Sequence, residues 1–283
     1  MFGRARSGSI LCPSCGKLVG VNDARCLSCG RRNPGMWGMG AFFAQLGRSE
    51  GFVQAVIGGC ALLYLLSLAV DPEGVQMKSL FSMGAPSQEA MLRFGASGAV
   101  PVFVWGRWWT LLSAGWLHGS ILHIAFNMMW LQQLAPQAAE YYGASRMIIL
   151  YTVSTVTGFL LTSAVYFVPF LPGGAGITLG ASAAIFGFFG ALVYYGRRTG
   201  SRSIGQQAKY WTLAGFVYAL FMPQVDNWAH LGGFAGGYLA ARFWLDPLTP
   251  ERGDHTVLAL LCLVATAAAV IASLVVPIPM PLR

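Results

Sequence analysis

A serine, three histidines and an asparagine, set in apolar surroundings, carry the chemistry that this sequence can perform: Ser182, His230, His118, His123 and Asn127. Ser182 follows the Gly- and Pro-rich stretch Pro172–Gly180 and opens the apolar run Ala183–Tyr195. The stretch before it cannot hold a helix and the run after it can, so the hydroxyl is predicted at a helix N-terminus. His123 and Asn127 are four apart and share one helical face, with His118 on the same predicted helix, nearer its start. Polar groups in apolar helices often serve only as interhelical hydrogen bonds, but three of them within ten positions favour one shared polar site. Serine is a weak nucleophile until a base takes its proton. His230 can be that base, and His123, Asn127 and the Ser182 backbone N–H can stabilise an oxyanion. The spans offer no persuasive acidic third member, so a Ser182–His230 dyad is expected.

A second chemistry sits at the N-terminus. Cys12-Pro13-Ser14-Cys15 and Cys26-Leu27-Ser28-Cys29 are each followed by a glycine, Gly16 and Gly30, which permits the tight turn that aims two thiolates at one metal. The spacing predicts a zinc-ribbon module over residues 1–33 with structural Zn2+ on Cys12, Cys15, Cys26 and Cys29. Two redox disulfides, or iron in the same sulfur cage, are the alternatives. The module's partner is left open. Cys60 and Cys262 lie alone in apolar stretches and take no role.

These groups have to be positioned by membrane helices. With 55% hydrophobic and 10% charged residues, the chain is read as a multi-pass integral membrane protein rather than a soluble one. Eighteen Lys and Arg against ten Asp and Glu report loop orientation, and no nucleic-acid partner is expected for the membrane core. Without an apolar signal core in the first 50 residues, the first span is expected to remain as an anchor. Residues 34–50, with Phe42 and Phe43, read as a linker becoming an interfacial segment.

Spans are predicted at Gly51–Val70, Trp108–Leu134, Met147–Phe167, Ser182–Tyr195, Tyr210–Met222, Asp226–Phe243 and Thr256–Val276. The long connection Asp71–Trp105, with an amphipathic piece at Gln88–Phe94, is expected to lie in the membrane interface. Gly233 and Gly237 form a small-residue stripe with Ala229, beside His230. The last span reads as featureless packing, with His255 solvated at its start. Arg4, Arg6, Lys17, Arg25, Arg31, Arg32 and Arg48 precede the first span, and Arg197, Arg198, Arg202 and Lys209 separate the fourth and fifth. These place the N-terminus in the cytoplasm, the C-terminus outside, and Ser182 toward the outer side. A bacterial inner membrane is the expected location.

Taken in order, Gly51–Phe243 resembles the rhomboid intramembrane serine proteases. Gly180-Ala181-Ser182-Ala183 is similar to the family's G-x-S-G, Asp226–Gly233 to its histidine segment, and His118–Asn127 to its second-helix motif. The resemblance implies an all-α membrane fold in which residues 51–243 form a six-helix core. Residues 244–283 add a seventh transmembrane helix and tail, and the zinc-ribbon module precedes the core. It also implies a water-filled cavity open to the outside, a Ser182–His230 dyad needing no cofactor, support from His118, His123, Asn127 and Gly180, and Phe186 stacked on the histidine. The expected activity is hydrolysis of a peptide bond in or beside a transmembrane segment of a membrane protein substrate, near small or helix-breaking residues.

Two positions depart from the family pattern. Ala183 stands where glycine is usual and adds a methyl near the base and oxyanion positions. Gly106–Thr110 resembles a family segment that carries Trp-Arg at the positions of Trp109 and Thr110; either Arg107 substitutes one turn earlier or the loop is held differently. The rival readings are an inactive rhomboid-like protein that binds membrane clients and a transporter with a broken helix. The transporter would call for paired repeats, which the sequence does not show.

Overall fold

The computed structural model describes residues 8–12, 15–35, 49–222 and 225–279. Strands β1 (Ser9–Leu11) and β2 (Leu18–Gly20) pair antiparallel, with Ile10 opposite Val19. Then follow helices α1 (Ser49–Val70), α2 (Gln88–Phe94), the short α3 (Thr110–Ser113), α4 (Ile121–Tyr142), α5 (Ala144–Val165), α6 (Ser182–Thr199), α7 (Arg202–Leu220), α8 (Asn227–Phe243) and α9 (Gly253–Val275). Among the described residues, three segments, Gly51–Val70, Ala144–Val165 and Gly253–Val275, are long and apolar enough to cross a membrane by length and composition. The expected linker falls mostly on residues 36–48, which lie outside the described residues, as do Arg4, Arg6 and Arg48.

Local chemistry moves several boundaries from their expected places. The second long helix begins at Ile121 rather than Trp108, because the extended Ser120 caps it, accepting the His123 N–H at 3.2 Å. His118 therefore lies in the approach to the helix, not on it, which corrects the expectation of three polar residues on one helix. The same helix runs through Pro136 to Tyr142, past the expected end at Leu134. Helices α6 and α7 are longer than expected, placing Arg197 and Arg198 in the last turn of α6 and Arg202 and Lys209 inside α7.

Glycine decides how the central helices meet. The expected stripe Gly233/Gly237 faces α6: a Cβ on either residue would strike the backbone carbonyl of Ala183 or of Gly187, respectively. A second stripe, Gly232/Gly236, faces α5, where a Cβ on Gly232 would lie 2.6 Å from the Thr157 carbonyl oxygen. Helix α8 is thus wedged between two neighbours at backbone contact on adjacent faces. Gly237→Ala should part α6 from α8 and cost about 3 kcal/mol by overpacking. Gly58→Ala, where nothing lies within 4 Å of an added Cβ, should be neutral or slightly stabilising. Thermal unfolding of the two variants in detergent checks the contrast, and equal melting temperatures would contradict it.

Helix α9 is not the featureless packing element that its sequence suggests. At its N-terminal end the buried Arg146 of α5 gathers the connecting segment, donating to the carbonyls of Asp246 (3.0 Å), Thr249 (2.8 Å) and Pro250 (2.9 Å). Arg146 Nε also donates to His255 Nδ1 at 3.3 Å, so His255 is engaged rather than freely solvated. Glu251 accepts the Ser145 and Arg146 backbone N–H groups at 2.7 and 3.1 Å, capping α5. At the other end the buried Arg107 donates to Ser273 O at 2.9 Å and Leu92 O at 2.9 Å. Burying a guanidinium is costly unless its donors are paired; both arginines spend most of theirs on backbone carbonyls, while Arg107 Nε is buried with no partner among the described residues.

Candidate active site

The loop that delivers Ser182 is held by backbone pairing. Ser97 and Thr178 exchange N–H···O bonds at 2.9 and 2.8 Å, Ala99 N–H donates to Ala175 O at 2.9 Å, and Val100 N–H to Gly176 O at 3.1 Å. Gly180 N–H then donates to Ala114 O at 2.9 Å. An irregular, partly buried loop is thus tied to neighbouring backbone at several points before the chain enters α6 at Ser182. Gly180 sits at φ +128°, where an added Cβ would lie 2.6 Å from His123 Nε2, so backbone and imidazole approach as only glycine permits.

Across from it, Asp226 caps α8 by accepting the Ala229 N–H at 2.9 Å, and His230 follows one turn later. Its ring stacks on Phe186, with centroids 4.0 Å apart and planes 10° from parallel. Phe186 is one turn beyond Ser182 on α6, so the stacking ties the imidazole's orientation to the helix that carries the serine. His230 Nδ1 is buried with no hydrogen-bond partner among the described residues.

His123 Nδ1 accepts the Gly119 N–H at 3.3 Å, which in a neutral ring leaves the proton on Nε2 as a donor. Asn127 is 5% exposed and its Nδ2 is buried without a partner among the described residues. Two N–H donors from one face of α4 are therefore available, as the four-residue spacing predicts. Ser182, His230, His123, Asn127 and Phe186 all line one cavity of about 1090 Å³ between α4, α6, α7 and α8. His118 and Gly180 stand behind that lining, with the His118 ring 5.1 Å from that of His123.

Ala183 is 1% exposed and does not line the cavity. Its methyl points at α5, where a Cβ on Gly158 would lie 2.7 Å away. The added volume is taken up by a glycine on the neighbouring helix, and the expected crowding near the histidine does not arise. Ala183→Gly should accordingly cost about 1 kcal/mol of stability through helix propensity, with reaction of Ser182 toward a serine-directed probe unchanged. A labelling rate altered severalfold would show that the methyl reaches the site after all.

Sequence reasoning passed over Asp226 as a cap and Gly158 as the partner of Ala183. The first was legible as Asp three residues before Ala229 at a helix start. The second, 25 positions from Ala183, left no local signal.

At the N-terminus, Cys12 Sγ lies 3.6 Å from Cys29 Sγ and Cys15 Sγ 3.6 Å from Cys26 Sγ, and all four sulfurs fall within 4.8 Å of one another. Disulfide sulfurs would be about 2 Å apart, whereas sulfurs around a tetrahedral ion at about 2.3 Å stand about 3.8 Å apart. Backbone N–H groups of Cys29 and Ser28, aimed at its sulfur, lower the Cys26 thiol to about 6, whereas at Cys29, against the lowering by the Arg31 N–H, desolvation and the neighbouring sulfurs push the thiol up to about 12. The four residues can hold a metal ion.

Comparison with known proteins points to one family. The Rhomboid domain family model matches residues 105–247. Rhomboid protease GluP of Bacillus subtilis (strain 168) is 31% identical over 161 residues, covering 56% of this chain and 30% of that protein. RHOMBOID-like protein 1 of Arabidopsis thaliana is 32% identical over 173 residues, 59% of this chain and 42% of that protein. Rhomboid-like protease 3 of Toxoplasma gondii is 27% identical over 158 residues, 54% of this chain and 57% of that protein. The chain thus spans less than two thirds of the length of each of these relatives. With a match across half its length and an all-α membrane fold, the chain belongs to the rhomboid family.

Proposed function

We propose that this protein is an intramembrane serine protease, hydrolysing a peptide bond in or near a transmembrane segment of a membrane protein substrate. The observation that carries this reading is the convergence of Ser182, His230, His123 and Asn127 on one cavity, with the His230 ring stacked on Phe186. Ser182 Oγ attacks the scissile carbonyl while His230 takes its proton and later returns it to the leaving amine. His123 Nε2–H, Asn127 Nδ2–H and the Ser182 backbone N–H receive the developing oxyanion. His118 and Gly180 back the His123 ring. Aromatic stacking does for His230 the orienting that a third, acidic residue does in a triad, so a dyad suffices.

The reading places residues 51–243 as the catalytic core, 244–283 as a seventh helix and tail, and 34–50 as linker. Residues 1–33 form a module in which Cys12, Cys15, Cys26 and Cys29 hold structural Zn2+. Basic residues at one end of the bundle support a multi-pass bacterial inner-membrane protein with the N-terminus cytoplasmic and the C-terminus outside. Arg197 and Arg198 lie at that end, where Arg198 pairs with Asp246 at 2.9 Å. Arg31 of the module sits near it too, its Nη1 4.0 Å from the Cβ position of Gly253. The helix starts at Ser182 and Asn227 point the opposite way, outward.

The test is cleavage of a single-span substrate by the purified protein in lipid vesicles, together with labelling by a fluorophosphonate. Absence of both across several substrates whose spans carry small or helix-breaking residues would sink the proposal. Ala183, the one feature that favoured an inactive client-binding relative, faces Gly158 with its methyl rather than the cavity, which supports the protease reading.

A further inference from the structure

Ser273, near the C-terminal end of α9, is 1% exposed and sits in a buried knot. Its Oγ accepts from Trp109 Nε1 at 3.1 Å, donates to Ala269 O at 2.9 Å and lies 3.3 Å from Ser113 Oγ. Ser113 Oγ in turn donates to Gly95 O at 2.9 Å. Gly95, at φ +102°, has its missing Cβ position filled by the two serine hydroxyls. The Ser273 carbonyl receives Arg107 Nη2 at 2.9 Å, and the guanidinium lies 5.6 Å from the centre of the Trp109 ring.

The knot joins two segments that reappear in the site. Two residues beyond Gly95, Ser97 pairs with Thr178; next to Ser113, Ala114 O accepts the Gly180 N–H. The loop leading to Ser182 is thus suspended from two stretches of backbone, and both pack against Ser273, whose Oγ lies 3.3 Å from Ser113 Oγ and against the Cβ position of Gly95. Helix α9 lies outside the six-helix core, and nothing in acyl-transfer chemistry requires it.

We propose that Ser273 is a positioning residue for Ser182: through Ser113 and Gly95 it fixes the two strands that hold the nucleophile's loop, making the seventh helix part of the working site. This rests on the protease reading given above. Without the Ser273 hydroxyl, Trp109 Nε1 loses its buried acceptor, Ser113 Oγ keeps its bond to Gly95 O but loses the oxygen packed 3.3 Å from it, and the pairing at Ser97 and Thr178 loosens. Preorganisation of Ser182 suffers while the cavity that receives substrate keeps its walls, so kcat should fall and KM should not.

The experiment compares Ser273→Ala and Ser113→Ala with Thr266→Val in the full chain. Thr266 is a control on the same helix, a buried hydroxyl donating to Cys262 O at 2.8 Å outside the knot. The two serine variants should each lower kcat and the rate of fluorophosphonate labelling about tenfold, with KM unchanged. They should also speed amide exchange at Ser97, Thr178 and Gly180. Thr266→Val should match the wild type in all respects. Wild-type labelling and exchange in both serine variants would overturn the inference, as would an equal loss in Thr266→Val, which would mark a purely structural effect. If wild-type protein neither labels nor cleaves, the protease reading fails, and amide exchange alone still decides whether Ser273 holds the loop.

Discussion

Ser182→Ala should give a protein that folds and melts like the wild type but neither cleaves a single-span substrate nor reacts with a fluorophosphonate. The expected loss is on the order of 10⁴- to 10⁶-fold, the range seen when the nucleophile of a serine hydrolase is removed. Little stability should go with it, because the side chain faces the cavity rather than the packed core. His230→Ala should lose as much activity, since an unassisted serine hydroxyl is barely nucleophilic near neutral pH. It should also lose some stability, because its ring is stacked on Phe186 at 4.0 Å. The decisive comparison is the double variant: two residues that act as a unit are non-additive, so Ser182→Ala/His230→Ala should be no slower than either single change. Independent, multiplying losses would mean that the histidine serves something other than the serine.

Much of the site was legible because its signals are local. Ser182 after a helix-breaking stretch and His123 and Asn127 at a spacing of four are relations within a single element, and the structure has them where the sequence puts them; Phe186 on the His230 ring was expected only from the family resemblance. His118 was misplaced because apolar composition does not mark a helix start; Ser120 does, by capping, and the residues before it turn through short segments instead. The contacts that suspend the site were illegible for a different reason. Arg107 meets Ser273 across 166 positions and Arg146 meets Thr249 across 103, with partners that are backbone carbonyls, which every residue carries. The Gly232/Gly236 stripe was visible in the sequence, but only the packed bundle says which neighbour each pair of glycines serves.

Metal removal should have the largest effect on the N-terminal module and almost none on the membrane helices. The module has two strands of three residues and a core of Cys12, Val19 and Cys26, with Ile10 packed on it. Two of those core residues are themselves ligand candidates, so without the ion little apolar surface remains to offset the conformational entropy of ordering the chain. Structural zinc in small modules contributes an apparent 10–16 kcal/mol near neutral pH, far more than such a core can. The wild type should carry about one metal ion per chain, and Cys12→Ser or Cys26→Ser should lose it. Chelation should erase amide protection at Ile10 and Val19 while the melting transition of the bundle stays put, since distinct cooperative units open independently. Colourless holoprotein would point to zinc, and visible thiolate-to-iron absorption to iron in the same cage. Strands that stay protected after chelation, or a metal content well below one per chain, would mean that four sulfurs within 4.8 Å are held together by something other than a shared ion.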